Sequence, residues 1–225
     1  MNFIMEALAY LTDPGSWSGP SGLGARVAQH LGYSALAVAA TALIAVPLGL
    51  WVGHTKRGSS LVVSVAGALR ALPALGMITY LSVTLPRGVT VPIIPATISL
   101  MLLGTAPLLA GIVAAFESVP RDVVLSARAA GYSERQILTR VELPLGAPVL
   151  IGGLRSCVAQ VLATTTVVAY IGLGGLGRLL IDGLAVQDYP RMVAGALAVT
   201  ALALIVDLTF ATIQHLAQPK LRSRG

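Results

Sequence analysis

The chain has 225 residues, of which 56% are hydrophobic and only 11% carry a formal charge. A soluble domain usually carries about 25% charged residues, and the mean hydropathy of +0.84 points to a bilayer as solvent. The net charge of +6 reads as loop residues that orient a membrane protein, not as a nucleic-acid surface. A single Cys157 excludes an intrachain disulfide framework and a multi-cysteine metal site. His30, His54 and His215 show no ligand spacing.

The opening residues Met1–Tyr10 lack a basic start, and Glu6 interrupts their apolar run. They read as a surface segment, neither a secretory signal nor a span. Asp13, Pro14, Gly15 and Pro20 break the chain after it. Five apolar stretches follow, near 31–53, 59–83, 92–116, 145–171 and 192–217. The first extends about 35 Å as a helix, enough to cross a hydrocarbon core. Continuous apolar runs disfavour a β-barrel. The expected fold is therefore all-α, a polytopic membrane bundle of about five transmembrane helices. Residues 1–30 form an extracellular segment, 31–217 the spanning domain, and 218–225 a cytoplasmic tail.

Loop charges set the orientation. One side holds nine basic residues: Lys56, Arg57, Arg121, Arg128, Arg135, Arg140, Lys220, Arg222 and Arg224. The other holds four: Arg26, Arg87, Arg178 and Arg191. The excess places the C-terminus in the cytoplasm and the N-terminus outside. Pro47, Pro73, Pro95, Pro107 and Pro148 fall at or within the first four spans. Kinks are tolerated there when neighbours or a wet cavity satisfy the freed carbonyls. Gly49, Gly104, Gly111 and Gly195 allow helices to approach closely. Prolines and glycines together suit a bundle that bends, as a transporter must.

The loop 117–144 is the most polar long stretch and lies on the cytoplasmic side. Ser118 is an expected cap for a helix over 121–130, and Gly131 a natural left-handed stop. Ser133 to Gln136 has capping-box spacing. A second helix is expected to run to about Glu142 and to end at Leu143-Pro144. Two short helices at an angle make a protruding knob; an interfacial loop on lipid headgroups is the other reading.

The stretch resembles the coupling motif of ABC importer permeases, which reads E-A-A, three residues, G, nine residues, I-x-L-P. The matching positions are Leu125-Ser126-Ala127, Gly131, Val141, Leu143 and Pro144, with the spacing intact. Leu125 stands where the motif has glutamate. The resemblance implies docking of an ATP-binding subunit through these residues with Arg128, Tyr132, Glu134 and Ile137. Leu72-Pro73-Ala74-Leu75, Arg155 after Gly152-Gly153-Leu154, the run from Ile171 to Gly177, and the segment from Trp17 to Arg26 are similar to permeases for glycine betaine, choline and other osmoprotectants. Methionine-type permeases share the glycine-rich run and the five-span layout. The resemblance implies a dimer of ATP-binding subunits, a second permease chain as homodimer or heterodimer, and an extracellular binding protein. No cofactor or metal is implied for this chain. ATP and magnesium would sit on the partner, so the chain itself is not an enzyme.

Gly172, Gly174 and Gly177 spell G-x-G-x-x-G. A dinucleotide fold needs a strand before that motif, and here a membrane span precedes it. Tight chain reversal is the physical reading, and 178–190 reads as a short outer helix or a loop. Arg70, Arg155 and Asp207 fall within spans, each about 16 to 20 Å from the cytoplasmic end by helical rise. Charge at that depth is costly unless paired, so Arg155 and Asp207 are expected to meet, with snorkelling as the alternative. Tyr80, Thr164, Thr165, Thr166 and Tyr170, with the three motif glycines, are the candidate path or gate. An ion-coupled transporter using Asp207 as its coupling carboxylate is the competing reading.

Overall fold

In a computed structural model, residues 2–217 are described. The tail 218–225, including Lys220, Arg222 and Arg224 of the orientation count, lies outside the described residues. Every regular element among the described residues is helical. Four helices among the described residues are long and apolar enough to cross a membrane, and the count is five if one bent helix pair is a single broken span.

Helix α1 (Phe3–Thr12) is about 15 Å long and too short to span. It packs along the last helix, with the Phe3 and Tyr189 rings 5.6 Å apart. Asp13 caps α2 (Pro14–Trp17) by accepting from the Ser16 amide. Helix α3 (Leu23–Thr55) runs for 33 residues, about 50 Å. It starts well before the expected Leu31 and is longer than a hydrocarbon core of about 30 Å.

The second apolar stretch is not one straight span. It divides into α4 (Ser59–Arg70) and α5 (Ala74–Thr84), bent by 85°. Tight bonds from the Ala71 and Leu72 amides to Ala68 and Leu69 close α4, and Pro73 restarts the chain at φ −67°. Neither half, at about 18 Å or less, can cross alone.

Helix α6 (Ile93–Glu117) is the centre of the bundle. More than half of its residues are buried, among them Leu100, Ile112 and Phe116. Helices α3 and α9 (Leu143–Thr164) cover two of its sides. Small residues make these crossings close. A methyl on Gly111 would stand 2.3 Å from the Gly153 Cα, and one on Gly49 2.8 Å from Ile112. The last helices are α10 (Gly177–Ala185) and α11 (Tyr189–Leu216). Only Ala194 and Gly195 of α11 are buried, and its remaining apolar surface suits lipid.

Candidate functional site

The knob is built from helix α7 (Arg121–Ala129) and the single turn α8 (Glu134–Ile137). Ser118 does not cap α7: its hydroxyl donates back to the Ala115 carbonyl at 2.7 Å, and Pro120 takes the cap position. Proline at that place needs no amide partner, so the local signal from Ser118 is spent on α6. The α7 C-terminus closes at Gly131, with φ +85°. The Gly131 amide donates to Arg128 and the Tyr132 amide to Ala127, the paired closure that requires a left-handed residue. The Ser133 hydroxyl accepts from the Gln136 amide and the Gln136 side chain accepts from the Ser133 amide, a full capping box.

The expected stop at Leu143-Pro144 is absent. The chain runs on from α8 through a π turn, Leu138–Glu142, into α9. Widening the ladder there lets the Pro144 ring pass the Arg140 carbonyl, the contact that breaks an ordinary α-helix. The second knob helix is thus the leading end of the fourth span.

Helix α7 contains no buried residue. Leu125 is 59% exposed, and Val123 and Tyr132 are also exposed. Ser126 and Arg128 face outward with them, and Ala127 is half-buried. Ile137 is fully buried and anchors the knob; Val141 and Leu143 are half-buried, and Leu143 packs against the main core. Pro144 is exposed. Arg128 joins the two helices by donating to both Glu134 oxygens, at 2.7 and 2.8 Å. The Arg128 hydrogen bond holds the Glu134 carboxyl below its ordinary value, and the same bond raises Arg128.

Three residues that spacing did not bring together meet the knob. His54, at the end of α3, contacts Glu142 through Nδ1 and lies 3.4 Å from Glu134 through Nε2. The Glu142 side chain is only 2% exposed. Lys56 donates to the Phe116 carbonyl at 2.8 Å, satisfying the C-terminal end of α6. A cleft of about 400 Å³ opens between α7 and these groups. His54 and Glu142 stand 88 positions apart, and no periodicity links them.

Within the spans, Arg155 donates to both oxygens of Asp207, at 2.5 and 2.6 Å. Arg70 stays apart from them, exposed at the end of α4 and without a carboxylate partner among the described residues. Thr164 and Thr165 are both buried in this chain. Thr165 bonds to the Ser34 hydroxyl of α3 and to the Val161 carbonyl, and the Thr164 hydroxyl donates to the Gln160 carbonyl of its own helix. Thr166 is half-buried. Tyr80 and Tyr170 are 66% and 53% exposed, on α5 and on the 3-10 segment Thr165–Ile171 that packs against it.

The glycine-rich run makes a compact reversal. Gly172 and Gly175 have φ +89°, and a methyl on Gly177 would stand 2.1 Å from the Thr166 carbonyl oxygen. A methyl on Gly174 would meet Gln29, whose side chain accepts from the Gly175 amide. Helix α10 follows, so 178–190 opens as a short helix. Its Asp182 faces Arg178 at 2.9 Å, Arg191 at 3.8 Å and Arg26 at 4.0 Å, which ties α10 to α11 and α3.

This fold is shared with solved transporters. A chain of the MetNI methionine ABC transporter, in an inward-facing conformation, superposes with a TM-score of 0.74 at 16% identity, covering 87% of this chain and 96% of that one. Residues 45–223 match the model of the family described as binding-protein-dependent transport system inner membrane component. The chain belongs to this family. Among its relatives, the osmoprotectant import permease protein OsmW of Salmonella typhimurium is 30% identical over 96% of this chain and 99% of its own length. The choline transport system permease protein OpuBB of Bacillus subtilis is 28% identical over 85% of this chain and 86% of its own. A carnitine transport permease protein of Listeria monocytogenes is 29% identical over 85% of this chain. The family member described here is a multi-pass membrane transport component whose family works with a binding protein.

Proposed function

We propose that this chain is the permease of an ATP-driven importer that takes up a small quaternary-ammonium osmoprotectant, such as glycine betaine or choline. The relatives at 26 to 30% identity are named for osmoprotectants, choline, carnitine or glycine betaine, which supports that substrate class. The observation that carries the mechanism is α7: a nine-residue helix, capped and clamped at its C-terminal end, with no buried residue of its own. So short a helix is marginal in water without a partner. Its exposed Val123, Leu125 and Tyr132, beside Ser126 and Arg128, form the face that an ATPase subunit would cover.

In this reading ATP and magnesium bind to a pair of ATPase subunits, and this chain binds neither. ATPase closure is delivered to α7. It passes through the continuous α8–π turn–α9 rod into the bundle, and it opens an outer gate formed at Gly172–Gly177 and α10. The binding protein selects the substrate outside, with the N-terminus on that side and the C-terminus in the cytoplasm. Two permease chains pair to enclose the path, with Tyr80, Thr166 and Tyr170 as its candidate aromatic and polar lining. Cation–π attraction to such rings suits a quaternary ammonium ion. An ion-coupled carrier is disfavoured because both Asp207 oxygens are engaged by Arg155.

The test is uptake of radiolabelled glycine betaine or choline into liposomes that hold the permease, its ATPase and the binding protein. Uptake should require ATP hydrolysis. Uptake that survives an inactive ATPase, yet collapses with the proton gradient, would overturn the reading.

A further inference from the structure

His54 stands between two carboxylates that belong to different parts of the knob. Nδ1 meets Glu142 in the π turn, and Nε2 lies 3.4 Å from Glu134 in α8. Glu134 also receives both hydrogen bonds from Arg128 in α7. The result is a line of charge, Arg128–Glu134–His54–Glu142, that starts on the exposed helix and ends at the root of the fourth span. Its third member is the only part of it that belongs to the first span, α3.

The remaining charged groups around the ring do not substitute for it. Lys56, two residues on, is committed to the Phe116 carbonyl. Arg121 of α7 lines the same cleft, and Glu117 of α6 lies beside Lys56 and Arg121. Glu142, almost wholly buried, makes its ion-pair contact with His54 among the described residues. A buried carboxylate needs a partner. His54 meets that carboxylate through Nδ1, while Nε2 of the same ring faces Glu134, so one ring stands against both acidic groups.

We infer that His54 is the positioning residue that ties the coupling knob to the first span. This rests on the permease reading above. Pressure on α7 is passed by Arg128 to Glu134, and His54 hands it to α3 while anchoring the π turn through Glu142. Without that hand-over the knob pivots at Gly131 and drives only α9.

The experiment measures substrate moved per ATP hydrolysed in liposomes holding the whole complex, with glycine betaine and choline as probes. His54→Ala should lower the ratio severalfold while hydrolysis continues. His54→Gln, which keeps a side-chain donor near Glu142, should recover part of the loss. If His54→Ala does not assemble, Glu134→Gln, altered at an exposed site, should still lower the ratio. A wild-type ratio retained in His54→Ala, or an unchanged ratio in Glu134→Gln, would overturn the inference. If the wild-type complex shows no ATP-driven uptake of either probe, the permease reading fails instead.

Discussion

The crossing of α6 and α9 at Gly111 and Gly153 brings two helix backbones into direct contact, and it sets a measurable stability. A methyl on Gly111 would stand 2.3 Å from the Gly153 Cα, and one on Gly153 2.6 Å from the Gly111 Cα. Ordinary contact begins at 3.4 Å, so Gly111→Ala forces two backbones apart by about 1 Å in a core packed to crystal-like density. No side chain can rotate away, because both partners are backbone. Overpacking of this kind costs about 1 to 3 kcal/mol. At roughly 2 to 4 °C per kcal/mol for a chain of this size, the unfolding midpoint should drop by about 2 to 12 °C. Gly32→Ala is the control: nothing lies within 4 Å of its Cβ position, and alanine in a helix gains about 0.5 to 1 kcal/mol over glycine. The single Cys157, one turn beyond Gly153 on α9, is fully buried against Gly104 of α6. A thiol-reactive fluorophore added to the detergent-purified protein during a thermal ramp therefore reports core opening. The double variant with Gly153→Ala should cost less than the sum of the singles, since both act on one gap. Equal midpoints for Gly111→Ala and Gly32→Ala would refute the close-crossing argument.

Three further outcomes are expected. Arg155→Asp and Asp207→Arg should each reduce the yield of assembled protein, and the swapped double variant should restore it, read as monodisperse material after membrane extraction. Gly131→Val places a β-branched residue at φ +85°, where the left-handed penalty is about 1 to 2 kcal/mol; amide exchange at Gly131 and Tyr132 should accelerate, and transport per ATP should fall while membrane insertion is retained. Glu134 is held below its ordinary carboxyl value chiefly by the Arg128 hydrogen bond. Its contribution to the knob is therefore present at neutral pH and is lost as pH falls through that lowered value; Arg128→Ala should move the loss to a less acidic pH, read by NMR titration of the Glu134 side chain.

Much of the knob was legible because its signals are local. A left-handed glycine and an S-x-x-Q box act within a few residues, so Gly131 and Ser133 to Gln136 read the same in sequence and in structure. Helical rise is also a local ruler, and it brought Arg155 and Asp207 to one level, where they bond. The same ruler put Arg70 at that level but could not show that a break at Pro73 ends its helix and leaves it apart. The Leu143-Pro144 stop failed for a related reason: a proline rule describes the ordinary α ladder, and the chain adopts a π turn there. The burial of Thr164 and Thr165 was not legible, because a hydroxyl looks alike in sequence whether it faces open space or bonds inside the bundle.

Composition and apolar run length alone determined that this is a helical membrane bundle of about five crossing elements, since a bilayer requires long apolar helices wherever the chain crosses. Motif spacing by itself pointed to a coupling knob. Which helix sits at the centre, which glycines touch backbone, and which histidine meets the buried Glu142 were decided only by tertiary packing. Those contacts join residues tens of positions apart, and their energy exists only once α3, α6 and α9 have come together.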